Sequence, residues 1–183
     1  MSPDPISRES LSFRLMDGSL SEDFLEMVRA RLVEDYPRQV RACLRVLDDE
    51  DLWWRPNDQA NAVGNLVLHV SGSNRFYLEH VIAGGPDVRD RDAEFAARGA
   101  LSKREVEQVW ADTERRVERV LNTITTHRLT EMTDRSGRPS SFARILLHVT
   151  HHNATHVGQI IWITKLRRPG ILHELSRTPA PSS

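Results

Sequence analysis

His152 and His156, four residues apart in the stretch HHNATHVGQI (residues 151–160), carry the spacing in this chain best suited to chemistry. On a helix they lie on one face about a turn apart. That spacing lets a helix offer two imidazole nitrogens to one metal ion. With His152 at zero and about 100° per residue, Ile145 and Ile163 fall near +20°, His156 near +40° and Val149 near +60°. The histidines therefore share a face with aliphatic residues that point into a core. Burying unsatisfied polar groups costs about 1–3 kcal/mol each. A metal satisfies both imidazoles at once; hydrogen bonds from neighbouring side chains would serve as well, and H-x3-H alone leaves these readings level.

Of eight histidines, four fall between residues 148 and 156. A third ligand must come from another helix, and His69, on an inward face beside Leu66 and Phe76, is the candidate. Three histidines with one open position is the arrangement of a catalytic zinc-type site. A structural site closes with a fourth side chain, often cysteine, and the single cysteine, Cys43, has no matching motif and reads as a core residue. His148, one turn before His152, reads as support or packing rather than a ligand. Gln159 faces inward and could orient an imidazole, or bond the backbone of another helix. His151 reads as surface, His127 and His173 as exposed helix ends. His80 shares a face with His69 but lies about 16 Å along the helix, too far for the same ion. Glu79 is also too far, at about 15 Å, and no carboxylate sits beside the histidines of the last helix, so no general base is visible.

Four helical segments must position these residues. The first runs from about 21 to 47, with Phe24, Val28, Leu32, Tyr36, Val40, Cys43 and Leu47 at spacings of three and four. Ser19 and Glu22 have capping-box spacing at its start, and Pro37 predicts a kink or break near Asp35 or Tyr36. The turn-rich tract DDEDLWWRPNDQ leads to Asn61, a predicted N-cap. The second helix covers about 62 to 83 and is closed by Gly84-Gly85-Pro86. Its inner face carries Ala62, Asn65, Leu66, His69, Ser73, Phe76 and His80. The third follows Ser102, which forms a capping box with Glu105, and carries the stripe Val106, Val109, Trp110, Thr113, Val117, Val120 and Ile124. The fourth opens near Pro139-Ser140 and runs to about 168. No strand is convincing.

These segments predict an all-α four-helix bundle. The link from 84 to 101 is long enough to leave helices two and three parallel. Its charged run RDRDAEF reads as solvated surface, with a lid over the bundle's mouth as the alternative. At 183 residues the chain suits one domain. A net charge of −1 gives no electrostatic footprint for nucleic acid or an anionic membrane. Apolar runs such as NLVLHV and IIWI are too short to span a bilayer. The polar N-terminus lacks a signal-like apolar run, and one cysteine fits a reducing compartment, so a cytoplasmic location is expected.

The segments NLVLHVSGSNRFYL (65–78), DLWWRPN (51–57) and LLHVTHHNATHVGQI (146–160) together resemble the DinB-like superfamily, in a branch of unknown function. The resemblance covers roughly residues 35 to 175. It implies an up-down-down-up bundle with a crossover between helices two and three. The bundle would occupy 19–172, between an N-terminal extension (1–18) and a C-terminal surface tail (173–183). It places a metal triad on His69, His152 and His156. Val157 departs from the arginine that many relatives carry before the Gly-Gln pair. The imidazoles suit zinc or nickel first, with iron or manganese as alternatives.

The resemblance further implies a metal-dependent enzyme acting on a small molecule, either a hydrolase or a transferase using a low-molecular-weight thiol. A metal- or ligand-binding stress-response protein without turnover is the second reading, favoured by the missing base. A metal-free structural bundle is the third. A homodimer is expected from the same resemblance, with Trp53, Trp54 and Trp162 to spare from the core and only Trp110 on a clear core stripe.

Overall fold

The computed structural model describes residues 20–170. Among them the chain is mostly helical, in six helical segments, and the expected all-α class holds. Helix α1 (residues 20–46) joins Leu20–Arg29 and Tyr36–Val46 through a π-helical stretch, Ala30–Asp35. Pro37 does not break it. Proline lacks the N–H an α turn would use, and the wider π turn, closed by Tyr36 N–H on the Arg31 carbonyl, makes room for its ring. Ser19 lies outside the described residues, so the capping box at this start is not seen.

Helix α2 is short, Asp49–Trp53, with Asp48 and Asp51 forming a reciprocal capping box. Helix α3 (residues 63–82) runs as Val63–Asn74 and then as a π stretch, Arg75–Ile82. Its N-cap is Ala62 and not the expected Asn61. Alanine has no capping oxygen, and Asn65 reaches back to accept from the Ala62 N–H. Gly84, at φ +79°, ends this helix in the left-handed region that glycine enters without a Cβ penalty.

Helix α4, Arg91–Ala96, lies within the 84–101 link; α5 is Lys103–Leu121 with the expected Ser102–Glu105 box; α6 is Phe142–Arg167, capped by Ser141. A two-residue antiparallel pairing, β1 (Met132–Thr133) with β2 (Ser140–Ser141), precedes α6, where the sequence pattern showed no strand. Two-residue strands carry no readable alternation.

The apolar stripes meet in two clusters. One gathers Leu25, Val28 and Leu32 with Leu78, Val117, Ile124, Phe142 and Val149. The other gathers Val40, Cys43 and Leu44 with Leu66, Val70, Trp110, Val157 and Ile160. Burying each such side chain contributes about 1.5–3 kcal/mol. Between them on α3, α5 and α6 lies a polar waist of His69, Ser73, Asn74, Thr113 and Asn153, all buried. The histidines of interest sit in that waist. Cys43 is a core residue as expected: burial raises its thiol pKa, opposed by a hydrogen bond with Thr164. No helix among the described residues is long and apolar enough to cross a membrane.

Candidate metal centre

The waist brings His69 from α3 against His152 and His156 from α6. Their nitrogens, one from each ring, lie within 4.8 Å of one another. His69 Nε2 is 3.1 Å from His152 Nε2, and the His69 and His156 ring centroids are 4.8 Å apart. The H-x3-H spacing on one continuous helix sets the His152 and His156 rings edge to face, with centroids 4.5 Å apart. All three candidate ligands therefore converge.

The outer nitrogens are held in different ways. His156 Nδ1 is 2.8 Å from Gln159 Oε1, and the amide oxygen can only accept, so Nδ1 carries the proton and Nε2 keeps its lone pair. Gln159 thus takes the orienting place on its own helix. His69 Nδ1 lies 2.9 Å from Glu94 Oε2, and the ionised carboxylate assigns the proton to Nδ1 here too. His152 Nδ1 is buried with no hydrogen-bond partner, as is the neighbouring Asn153 Oδ1.

Glu94 is the residue the sequence reading missed. The run RDRDAEF, expected as solvated surface, puts Glu94 at 8% exposure against His69. Arg89 Nε and Nη2 each donate to it at 2.9 Å, so the carboxylate is paired on both sides. Burial opposes its ionisation. The bonds from His69 and Arg89 outweigh burial and hold its pKa below the ordinary carboxylate range. A Cβ at Gly72 would collide with a Glu94 oxygen, so glycine on α3 is what admits this side chain. Phe95, the next residue, packs on the His69 ring at 4.5 Å between centroids. The only signal in the sequence was an apolar Phe95 inside a charged run, behind Asp90 as the α4 cap.

The 84–101 link is itself anchored by the DLWWRPN tract. Arg55 Nη2 donates to Asn65 Oδ1 at 2.5 Å and to the Ala97 carbonyl at 3.1 Å. Asn65 Nδ2 donates to the Glu94 carbonyl at 2.9 Å. Trp53 Nε1 donates to the Leu101 carbonyl at 2.8 Å, and its ring occupies the space a side chain at Gly64 would need. Arg55 and Asn65 therefore fix α4, and α4 fixes His69.

Burial favours the neutral form of His152 and His156. Burial, then the His156 and His69 rings, push the His152 pKa down to about 4. Burial also lowers His156, against the Gln159 bond, and lowers His148 together with nearby Arg138 and His151. Neutral imidazoles are the form that ligates.

The other histidines fall largely where the sequence put them. His148 stands beside the triad without joining it, its ring 5.9 Å from that of His152 and 4.6 Å from that of Tyr77. His151 and His127 are exposed. His80 is spent on the Gly85 carbonyl at 2.7 Å. Glu79 pairs with Arg75 and Arg116, away from the site. His173 lies outside the described residues.

Comparison with known proteins gives a family and a fold. The sequence profile of DUF1572, a protein family of unknown function, matches residues 19–178. A DinB-like protein from Bacillus cereus superposes with a TM-score of 0.60 at 19% identity, over 80% of this chain and 91% of that one. A DinB-like protein from Bacillus subtilis gives 0.58 at 13%, over 85% and 96%. A conserved protein from Enterococcus faecalis gives 0.60 at 12%, over 81% and 97%. No curated protein matches the chain.

Proposed function

The chain belongs to the DUF1572 family, within the DinB-like superfamily, and from that premise we propose that it binds one divalent metal ion through His69, His152 and His156 and acts as a metal-dependent enzyme on a small molecule. The observation that carries this is the convergence of three imidazoles, His69 buried and His152 and His156 half-buried, two with their outer nitrogens already committed. Such a donor set fits zinc or nickel, with iron or manganese as alternatives. When bound, the ion would supply Lewis-acid chemistry, acidifying a thiol or a water that reaches it.

The chain's own residues do the rest. Glu94 and Gln159 orient two of the rings, and Arg89 cancels the Glu94 charge, so the pocket offers an ion no net protein anion. That favours an anionic ligand at the remaining position. Hydrolysis needs a proton acceptor beside the ion, and the one carboxylate at the cluster is bound to His69 and Arg89. Thiol-dependent transfer has no such need, and we place it ahead of hydrolysis. The paired state of Glu94 also keeps open a metal- or ligand-binding protein without turnover.

The same reading takes the helices as an up-down-down-up four-helix bundle over 19–172, with α4 in the crossover. Contacts supporting it run from α3 to α6 in opposite sense (His69 to His152, Tyr77 to His148) and from the end of α3 to the end of α5 (Glu79 to Arg116). A homodimer through α6 is supported by Trp162 and Leu166, exposed at 57% and 47% and one turn apart; a monomeric mass by light scattering at micromolar concentration would count against it.

Cobalt-loaded protein tests the functional reading. A cellular thiol should add a sulfur-to-metal charge-transfer band and, with an electrophile, give turnover. No band with any thiol, alongside esterase or amidase turnover, would reverse the order of transfer and hydrolysis. Purified protein without bound metal, and unable to take any up, would refute both.

A further inference from the structure

Beside the triad, one turn nearer the start of α6, an open cleft of about 410 Å³ has a polar lining of Tyr77, Arg138, Arg144, His148, His151 and two serines, over the apolar Ile145 and Leu147. No carboxylate lines it. Most arginines elsewhere are tied to acids or carbonyls: Arg29 to α5, Arg55 to Asn65, Arg89 to Glu94, Arg167 to Asp51. The guanidinium groups of Arg138 and Arg144 make no ion pair or hydrogen bond among the described residues, and both are exposed. Two unpaired guanidiniums, with imidazole, phenol and hydroxyl groups able to donate beside them and no carboxylate to oppose them, suit this concavity to an oxyanion.

His148 links the cleft to the histidine cluster: it lines the cleft, and its ring lies 4.6 Å from that of Tyr77 and 5.9 Å from that of His152. Arg144 precedes His152 by eight residues, about 12 Å of helix rise. A ligand reaching both must be a small molecule of about that length, with an anionic group at one end.

We propose that this cleft binds the phosphate or carboxylate group of the substrate, holding its opposite, reacting end at the histidine cluster. The proposal rests on the metal-site reading for what lies at the reacting end, but the anion subsite itself does not need the metal. Arg138 and Arg144 are the residues that recognise the charge, and Tyr77 and His148 form the wall along which the ligand lies. Guanidinium is suited to this because its planar fork donates in pairs to phosphate or carboxylate.

The test titrates inorganic phosphate and, separately, succinate into the full metal-free chain. Nuclear magnetic resonance follows the arginine Nε–H signals and the Tyr77 ring. At least one probe should shift Arg138, Arg144 and Tyr77 together, and the tighter one assigns a phosphoryl or a carboxylate substrate. R138Q/R144Q should weaken that probe at least tenfold and leave zinc affinity within twofold; neither side chain is bonded in the fold, so an unchanged thermal midpoint should accompany it. H152A should do the reverse, losing zinc while keeping the anion. If neither probe shifts these signals, or the double variant binds the probe as well as the parent, the proposal is overturned. Anion binding in a wild-type chain that takes up no metal would sink the metal reading and leave this one standing.

Discussion

His69 and His80 sit on the same helix, both predicted to face inward, and end in opposite chemical states. His80 Nδ1 bonds the Gly85 carbonyl at 2.7 Å, and Arg135 closes over the same carbonyls from the hairpin side. It is a finished hydrogen-bonding residue that locks the end of α3. His69 has its Nδ1 taken by Glu94 and its Nε2 aimed at two further imidazole rings. A backbone carbonyl completes an imidazole; a second imidazole at 3.1 Å shares one proton between two nitrogens that a metal ion could take instead. Histidine burial alone therefore does not make a candidate metal site, whereas convergence of ring nitrogens from three histidines does.

That contrast can be broken most forcefully at the cluster. H152A should abolish stoichiometric zinc binding, read by isothermal titration of metal-stripped protein, because it removes one of three ligands. Binding that stays stoichiometric would remove His152 from the ligand set.

The next effect comes through Glu94. E94Q keeps the shape of the side chain but loses the charged acceptor for His69 Nδ1–H. Zinc affinity should fall about 10–100-fold, the usual cost of losing a carboxylate behind a ligating histidine. An unchanged affinity would mean that the Glu94–His69 pair serves packing only.

Acid should sharpen the comparison in the metal-free protein. His152 is held at about 4 in the fold, while an unfolded chain titrates it near 6.5. Between those values the unfolded chain binds more protons, so stability is full above about 6.5 and is lost progressively as the pH falls towards 4. His148 and His156 are lowered as well and act in the same direction. Glu94, lowered from its ordinary 4.5, adds its loss only at the acid end of this range. Urea midpoints should drop from pH 7 to pH 5, and less steeply in H152N; a flat wild-type profile would contradict the buried neutral cluster.

The smallest effect belongs to His80. H80A should leave zinc affinity unchanged and cost about 0.5–1.5 kcal/mol of stability, the loss of one hydrogen bond. A drop in metal affinity comparable to that of E94Q would mean that the two ends of α3 are coupled.

What the sequence made legible follows the range of each interaction. His152, His156 and Gln159 lie within two turns of one helix, so periodicity placed them together. The Ser102–Glu105 box and the stop at Gly84 are equally local. His69 could be matched to them because its own helix is amphipathic. Glu94 could not, since its burial depends on Gly72 leaving space on α3 and on Arg55 and Asn65 anchoring the crossover, contacts spanning about 20 to 40 positions. A charged run on a six-residue helix carries no periodic trace of such a fit. Pro37 shows the converse: the local rule predicted a break, and a π turn absorbed it.

Three imidazoles, and no protein carboxylate or thiolate, are proposed to hold the ion. X-ray absorption at the zinc edge of the loaded full-length protein reads that directly. It should show imidazole scattering from three nitrogens at about 2.0–2.1 Å, with one further light or sulfur neighbour from solvent or added thiol. A shell with fewer than three imidazoles, or one that loses a protein oxygen when Glu94 is replaced by glutamine, would contradict it.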